Sequence, residues 1–399
     1  MRVSGFSAVR LGRLRTVLGG HVERGEVPGL VALVARRGEV HVEVLGTTEA
    51  DGGGVPMRRD TIFRIASVSK MIGAAAAMTL IEECRLRLDD PVDDLLPELA
   101  DRRVLTRVDA PLGDTVPAVR SITMRDLLTF RMGLGVVVAE PGACPIQRAM
   151  DEAGLSPGPH EIPITPEEWM KRLGDLPLAY QPGERWMYHT GSQVLGVLLS
   201  RATGRPLGDL LRERLFEPLG MADTDFHVPP GKIGRLPAVY RPDPEAGLVL
   251  DDHPSRSRWD HPPVFPSIGG GLVSTADDLL AFCAMLLGKG RHIGARVLSR
   301  PSVEAMTTDQ LTERQKAGNE VFFDGNSGWG FGVQVITRRT GLDSTPGRFG
   351  WSGGSGVCVY IDPAEELIGI LLTQRQMTSP AQPAVFRDFW TSVYQAIDD

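Results

Sequence analysis

Residues 63–70 read Phe-Arg-Ile-Ala-Ser-Val-Ser-Lys, and residues 71–78 continue as Met-Ile-Gly-Ala-Ala-Ala-Ala-Met. The part that follows Ser67 is rich in alanine and free of proline, which predicts a helix. Ser67 and Lys70 are three residues apart, so on a helix they share one face and the amine can reach the hydroxyl. A lysine that is neutral or shares a proton makes such a serine a nucleophile. Ser69 has no lysine at this offset and is the weaker candidate.

This motif is weak when it is taken alone. A surface lysine on an ordinary helix explains a Ser-x-x-Lys pattern equally well. Lysine is scarce in this chain, however, and Lys70 is one of five. The rest of the sequence must therefore decide between the two interpretations.

Length and charge limit the possible partners. The chain has 399 residues, 42% of them hydrophobic, and a formal net charge of -7. This length predicts one large two-part protein or two domains with a sizeable core. It contains no run of Lys and Arg and no basic patch with interleaved aromatic residues, which argues against a nucleic-acid partner.

Cysteine usage and hydropathy indicate the compartment. The four cysteines are widely spaced, without a Cys-x-x-Cys pair or a histidine cluster beside them, so disulfides and structural zinc are not expected. Residues 1–15 lack the uninterrupted apolar core of a signal peptide. No apolar run approaches the ~18 residues of a membrane span. We expect a cytoplasmic protein with no membrane partner.

The order of the predicted elements indicates an α+β fold. An antiparallel sheet would be built from both termini and flanked by helices, with a mostly helical region inserted between them. The predicted domains are a sheet domain of residues 1–90 and 265–399 and an inserted helical domain of residues 91–264. Patterns predict helices over 8–26, 122–130, 191–203, 207–216 and 381–396, strands over 30–36, 40–45, 330–337, 356–361 and 367–372, and loops over 140–166 and 240–266. Arg37 and Gly38 between the first two strands indicate a hairpin.

Two further segments carry chemistry. Tyr188 precedes a predicted helix, and a tyrosine near a Ser/Lys pair can act as general acid or base, because a nearby ammonium lowers its pKa. Residues 349–356 are rich in glycine, and a peptide N–H of this segment could pair with that of Ser67 as an oxyanion hole. The alternatives are an aromatic residue that packs a helix start and a flexible hairpin loop.

These motifs, in this order, resemble the serine β-lactamase-like family of class C β-lactamases, DD-peptidases and family VIII carboxylesterases. The resemblance implies a β-lactamase/penicillin-binding-protein-like fold without a cofactor or a metal. It implies that Ser67 is the acylated nucleophile, Lys70 its activating partner and Tyr188 a proton shuttle, with an oxyanion hole formed by the N–H groups of Ser67 and Gly354. The matching segments are 63–70, 88–92, 122–128, 182–191, 216–221 and 270–279.

The chain departs from the family pattern at two positions. Thr190 stands where the tyrosine motif usually has an asparagine that holds a substrate amide. Trp351 opens the third motif in place of lysine or histidine, which removes a cation for a carboxylate and resembles the carboxylesterase branch. Together with Gly353, these residues are the predicted substrate contacts, and an aromatic wall suits an uncharged group.

Other signals are weaker. Residues 350–354 also fit Gly-x-Ser-x-Gly, but no histidine follows Ser352, as that hydrolase triad would need. His189 is interpreted as a loop residue in place of a small polar one. His253 and His261 have too few possible partners for a metal site. Asp277 and Asp278 are interpreted as a capped helix start.

We therefore expect a serine hydrolase that cleaves carboxylic esters through an acyl-enzyme on Ser67. The main alternative is an acyltransferase that moves an acyl group to a small-molecule alcohol or amine in a biosynthetic pathway. Trp351 and Thr190 argue against a β-lactamase or D-amino-acid peptidase. The presence of Ser67, Lys70 and Tyr188 together argues against a non-enzymatic binding module, which would not need them. The expected partner is a small-molecule ester or acyl donor, and the sequence leaves the oligomeric state open.

Overall fold

The computed structural model describes residues 2–3, 5–50, 53–158 and 160–399. Its strands are β1 Arg2–Val3, β2 Phe6–Ser7, β3 Gly29–Arg36, β4 Glu39–Gly46, β5 Phe63–Arg64, β6 Arg103–Leu105, β7 Thr115–Pro117, β8 Val239–Asp243, β9 Gly247–Asp252, β10 Val273–Ser274, β11 Arg291–His292, β12 Ala295–Arg296, β13 Ser327–Trp329, β14 Gln334–Ile336, β15 Phe349–Gly353, β16 Val357–Asp362 and β17 Leu367–Thr373.

Helices surround and connect these strands. They are α1 Ala8–Glu23, α2 Ser69–Glu82, α3 Met124–Leu128, α4 Pro145–Glu152, α5 Pro166–Asp175, α6 Thr190–Thr203, α7 Leu207–Leu211, α8 Glu217–Leu219, α9 Ala276–Leu287, α10 Arg300–Met306, α11 Glu313–Lys316, α12 Glu320–Phe323 and α13 Ala384–Tyr394. A π-helix, Arg212–Phe216, joins α7 to α8, and short 3-10 turns cover Ala66–Val68, Pro97–Leu99, Pro230–Arg235 and Pro254–Arg256.

Seven strands form one antiparallel sheet in the order β13-β14-β15-β16-β17-β3-β4. Strand β3 lies between β17 and β4, so the N-terminal hairpin completes a sheet whose other strands come from the C-terminal part of the chain. This arrangement confirms the predicted α+β fold and the hairpin between residues 30–36 and 40–45. The predicted division into a sheet domain and an inserted helical domain stays a prediction.

Strand β3 is buried along its whole length because both faces of the sheet are covered. Val31, Leu33 and Ala35 belong to the core that contains α2 and α9. Leu30 and Val34 point the other way, into a core shared with α1 and α13. The two-residue period of a strand thus divides a continuous apolar run between two hydrophobic layers.

Helix α2 lies inside the larger core. Its residues 69–80 are all buried, as expected for a helix that is apolar on every side. Gly332 passes so close to α2 that an added Cβ would lie 2.6 Å from the Ala74 Cβ. The helix that carries Lys70 is therefore closely packed on every side.

Several predicted boundaries are wrong. Residues 140–166 contain α4, and residues 240–266 contain the β8–β9 hairpin, where unbroken loops were predicted. The predicted strand over 330–337 begins too early, because residues 330–333 form the turn between β13 and β14 and only Gln334–Ile336 are extended. Residues 349–353 form strand β15 itself and are not a loop before a strand.

Among the described residues, no helix combines the length and the apolar character that a membrane crossing requires. Nor do the described ranges bring together three or more His, Cys, Asp or Glu side chains in a way that could hold a metal ion.

Candidate active site

Ser67 lies in a 3-10 turn that leads directly into the helix predicted to follow it. The turn covers Ala66–Val68, and α2 begins at Ser69. Ala66 has a φ of 42°, a strained value for a residue with a side chain. The three-residue offset brings the two predicted partners together, because Lys70 Nζ and Ser67 Oγ lie 3.0 Å apart, within hydrogen-bond distance.

The Lys70 amine is enclosed by protein. The residue is 1% exposed, and Nζ also donates to the carbonyl oxygen of Gly269 and lies 3.3 Å from His189 Nδ1. Burial holds the pKa of Lys70 well below the ordinary value for lysine. No carboxylate hydrogen-bonds to the amine among the described residues, so no ion pair there offsets this lowering.

Tyr188 lies across from this pair. Lys70 Nζ is 4.7 Å from the centroid of the Tyr188 ring. Burial raises the pKa of Tyr188, and hydrogen bonds with Ser67 and Trp351 act in the opposite direction without outweighing it. The expected lowering of the Tyr188 pKa by an ammonium is therefore wrong, since the dominant cause is desolvation and the neighbouring lysine is itself driven towards neutrality.

Trp351 contacts the tyrosine directly. Its Nε1 donates to Tyr188 Oη at 2.6 Å, and its ring packs at 4.8 Å against that of Trp329. The side chain is buried in a cluster of aromatic rings around the tyrosine. The sequence predicted an aromatic wall here, but it did not predict that the indole N–H holds the phenol oxygen.

The glycines at the end of β15 permit a close approach of two backbones. A Cβ on Gly353 would lie 2.4 Å from the carbonyl oxygen of Ile65, so a larger residue would push β15 away from the turn that carries Ser67. Gly354 follows and lines the cavity beside Ser67. The pairing of their N–H groups as an oxyanion hole stays a prediction.

Thr190, the third predicted substrate contact, is fully buried as the first residue of α6. Its hydroxyl has no hydrogen-bond partner among the described residues. Neither Thr190 nor Gly353 belongs to the cavity lining, whereas Trp351 does.

Sequence reasoning undervalued His189, which is 4% exposed and contacts Lys70. The only signal in the sequence was its position beside Tyr188. The sequence around His189 does not distinguish an exposed loop from a buried turn, because burial depends on which distant segments pack over the residue.

Ser67 opens into a cavity of about 500 Å³. Its walls are mainly apolar and aromatic side chains, with several uncharged polar groups and the Asp324 carboxylate, and two of its residues come from the stretch 140–166. The lining includes Val136, Pro157, Gly158, Tyr188, His189, Val321, Phe322, Asp324, Gln334, Trp351, Ser352, Tyr360, Gln376, Met377, Thr378, Ser379, Pro380 and Gln382.

An α+β fold that gathers a serine hydroxyl, a buried amine and a phenol beside one cavity is that of a serine hydrolase-type enzyme. The chain belongs to the Beta-lactamase family, whose family model matches residues 14–387. This membership confirms the resemblance drawn from the sequence motifs.

Known proteins with assigned activities align with nearly the whole chain. It is 32% identical over 380 residues to Esterase EstB of Burkholderia gladioli, an alignment that covers 90% of this chain and 89% of EstB. It is 26% identical over 387 residues to Acyltransferase calJ of Penicillium decumbens, covering 90% and 88%. The solved structure of EstCE1, a hydrolase with promiscuous acyltransferase activity, superposes with a TM-score of 0.81 at 24% identity, covering 97% and 99%.

Proposed function

We propose that the protein cleaves small, uncharged carboxylic esters through an acyl-enzyme on Ser67. The observation that carries the proposal is the 3.0 Å contact between Ser67 Oγ and Lys70 Nζ, because the pKa of this buried amine is well below its ordinary value. A neutral amine at that distance can take the hydroxyl proton at neutral pH.

In the first half-reaction, Ser67 Oγ attacks the ester carbonyl carbon while its proton passes to Lys70 Nζ. The N–H groups of Ser67 and Gly354 would bind the resulting oxyanion. When the tetrahedral intermediate collapses, the bond to the alcohol oxygen breaks. Tyr188 gives its phenol proton to that oxygen and recovers one from the Lys70 ammonium, so the alcohol leaves and an acyl ester of Ser67 remains.

In the second half-reaction, water attacks the acyl-enzyme. Its proton passes through Tyr188 to Lys70, and the acid leaves as Ser67 Oγ recovers a proton from the lysine. The raised pKa of Tyr188 suits this role, because the phenol is protonated at rest and is ready to donate. Trp351 Nε1 holds the phenol oxygen during both proton transfers.

The cavity favours an ester over a β-lactam or a peptide. None of the described side chains that line it belongs to Lys or Arg, so no cation meets a substrate carboxylate. Trp351 stands at the position where the family pattern has a cation. The likeness to Esterase EstB over most of the chain adds support to the ester assignment.

The test is turnover of p-nitrophenyl esters from acetate to octanoate beside a chromogenic cephalosporin. Ser67→Ala should abolish ester turnover, whereas Ser69→Ala, two residues further along, should retain labelling by a fluorophosphonate probe. Cephalosporin cleavage as efficient as ester cleavage would identify a β-lactamase instead. Ester turnover that persists in Ser67→Ala would remove the nucleophile assignment.

Acyl transfer is a second candidate, favoured by the likeness to Acyltransferase calJ. An alcohol or amine would replace water in the second half-reaction, with the same proton transfers. Product analysis with an alcohol acceptor separates the two: accumulation of the acceptor's ester supports transfer. Release of free acid alone, across a range of acceptors, supports hydrolysis.

A further inference from the structure

The Lys70 amine has three polar neighbours, and two of them, the Gly269 carbonyl and the His189 imidazole, have no role in the mechanism above. Nζ contacts Ser67 Oγ, the carbonyl oxygen of Gly269 and His189 Nδ1, the last at 3.3 Å. The Lys70 and His189 side chains are both buried. The His189 imidazole therefore contacts Lys70, the proposed base, as well as lining the cavity.

The backbone at His189 is held in a rare conformation. Its φ of 83° and ψ of -63°, with the Thr190 N–H donating to the Tyr188 carbonyl at 3.2 Å, define a strained γ-turn. The Tyr188 carbonyl also accepts from Val136 N–H, and the His189 carbonyl accepts from Ser192 N–H, both at 2.9 Å. These bonds fix the turn on both sides, and such strain is commonly retained where it places a functional group.

The arrangement accounts for each hydrogen and lone pair of a neutral amine, which has two N–H bonds and one lone pair. We propose that His189 is a positioning residue for Lys70: its Nδ1 accepts one N–H while the Gly269 carbonyl accepts the other, which leaves the lone pair facing the Ser67 hydroxyl. This inference rests on the proposed function. After proton transfer, all three N–H bonds of the ammonium meet acceptors, namely Nδ1, the carbonyl and Ser67 Oγ.

The surroundings keep the imidazole able to accept. Burial, followed by the charges of Lys70 and His160, holds the pKa of His189 well below its ordinary value. Tyr188 is the other titratable group that faces it, with ring centroids 5.9 Å apart. A neutral ring with its proton on Nε2 has a free lone pair on Nδ1. Nε2 is buried and has no hydrogen-bond partner among the described residues. Burying an unpaired polar atom costs free energy, and a residue that only filled space would not need to carry that atom.

Two amide variants separate this role from packing. In His189→Asn the side-chain amide oxygen can take the place of Nδ1. In His189→Gln the amide oxygen lies near the former position of Nε2. The two variants therefore keep a polar side chain but place its hydrogen-bond acceptor differently. We expect His189→Asn to retain kcat on a p-nitrophenyl ester within ~5-fold and His189→Gln to lose about 10- to 100-fold, the scale of a misplaced catalytic group. KM should change little in either variant.

The pH profile provides a readout that packing would not move. In His189→Gln the acid limb of kcat/KM should shift to lower pH, because the ammonium loses an acceptor and the Lys70 pKa falls further. Equal kcat in the two folded variants, or an unmoved acid limb in His189→Gln, would overturn the inference. Failure of the proposed function would look different, since the wild-type protein would then show neither ester turnover nor fluorophosphonate labelling.

Discussion

At the scale of single residues, the ionisation of Lys70 and Tyr188 sets the expected pH dependence. Lys70 acts as a base only when it is neutral, and burial lowers its pKa, so the active form persists far below the pH at which an ordinary lysine ionises. Tyr188 must be protonated at rest, and burial raises its pKa. We predict a plateau of kcat/KM through neutral pH, measured with an uncharged ester. A rate that reaches half its maximum only above about pH 9 would contradict a depressed lysine pKa.

The hydrogen bond from Trp351 Nε1 to Tyr188 Oη gives a second prediction. Trp351→Phe removes the donor but keeps an aromatic ring, so kcat/KM should fall about 10- to 100-fold, matching the ~1.5–3 kcal/mol of a hydrogen bond to a group that becomes charged. Trp329→Phe is the matched control, because its indole N–H lies in the same cluster without a partner among the described residues. If both variants lose activity equally, ring packing and not the hydrogen bond is responsible.

At the scale of elements, α3 depends on a capping box. Thr123 Oγ1 accepts from Asp126 N–H at 3.3 Å, and Asp126 Oδ2 accepts from Thr123 N–H at 3.0 Å. Thr123→Ala should lower the free energy of unfolding by about 1 kcal/mol, whereas Thr123→Ser, which keeps the hydroxyl, should cost less. Urea denaturation measures both. Identical midpoints for the two variants would show that the hydroxyl is not what stabilises the helix.

Helix α4 and the β8–β9 hairpin, which the sequence did not predict, are stabilised by local contacts. Pro145 occupies the first turn of α4, where the absent N–H costs nothing. The side chain of Gln147 accepts from Cys144 N–H at 3.0 Å, and Ile146, Ala149 and Met150 form the buried face of the helix. The β8–β9 turn is likewise fixed locally, since Asp243 accepts from the N–H groups of Glu245 and Ala246.

At the scale of the whole molecule, α13 closes the sheet where the two ends of the chain meet. Gly369 of β17 lies under this helix, and an added Cβ would be 2.4 Å from the Trp390 ring. That ring is 1% exposed and lies 4.0 Å beneath the guanidinium of Arg348, so it cannot move aside. Gly369→Ala should therefore lower the free energy of unfolding by about 1–3 kcal/mol through overpacking.

Gly12 of α1 is the matched control for that change, because nothing lies within 4 Å of its added Cβ. Gly12→Ala should raise the free energy of unfolding by about 0.5–1 kcal/mol, since alanine is the better helix former. Opposite signs for the two substitutions in urea denaturation would support the tight contact between α13 and the sheet. A neutral Gly369→Ala would mean that the helix can move away.

The sequence by itself determined the fold class, the hairpin and the pairing of Ser67 with Lys70, because strand period, turn residues and a three-residue offset are local properties of the chain. The tertiary structure decided what no local pattern contains: the direction of the Tyr188 pKa shift, the hydrogen bond from Trp351 and the burial of His189 against Lys70. Desolvation and contact depend on which distant segments enclose a side chain. The residues that enclose these groups come from positions more than 100 apart in the chain.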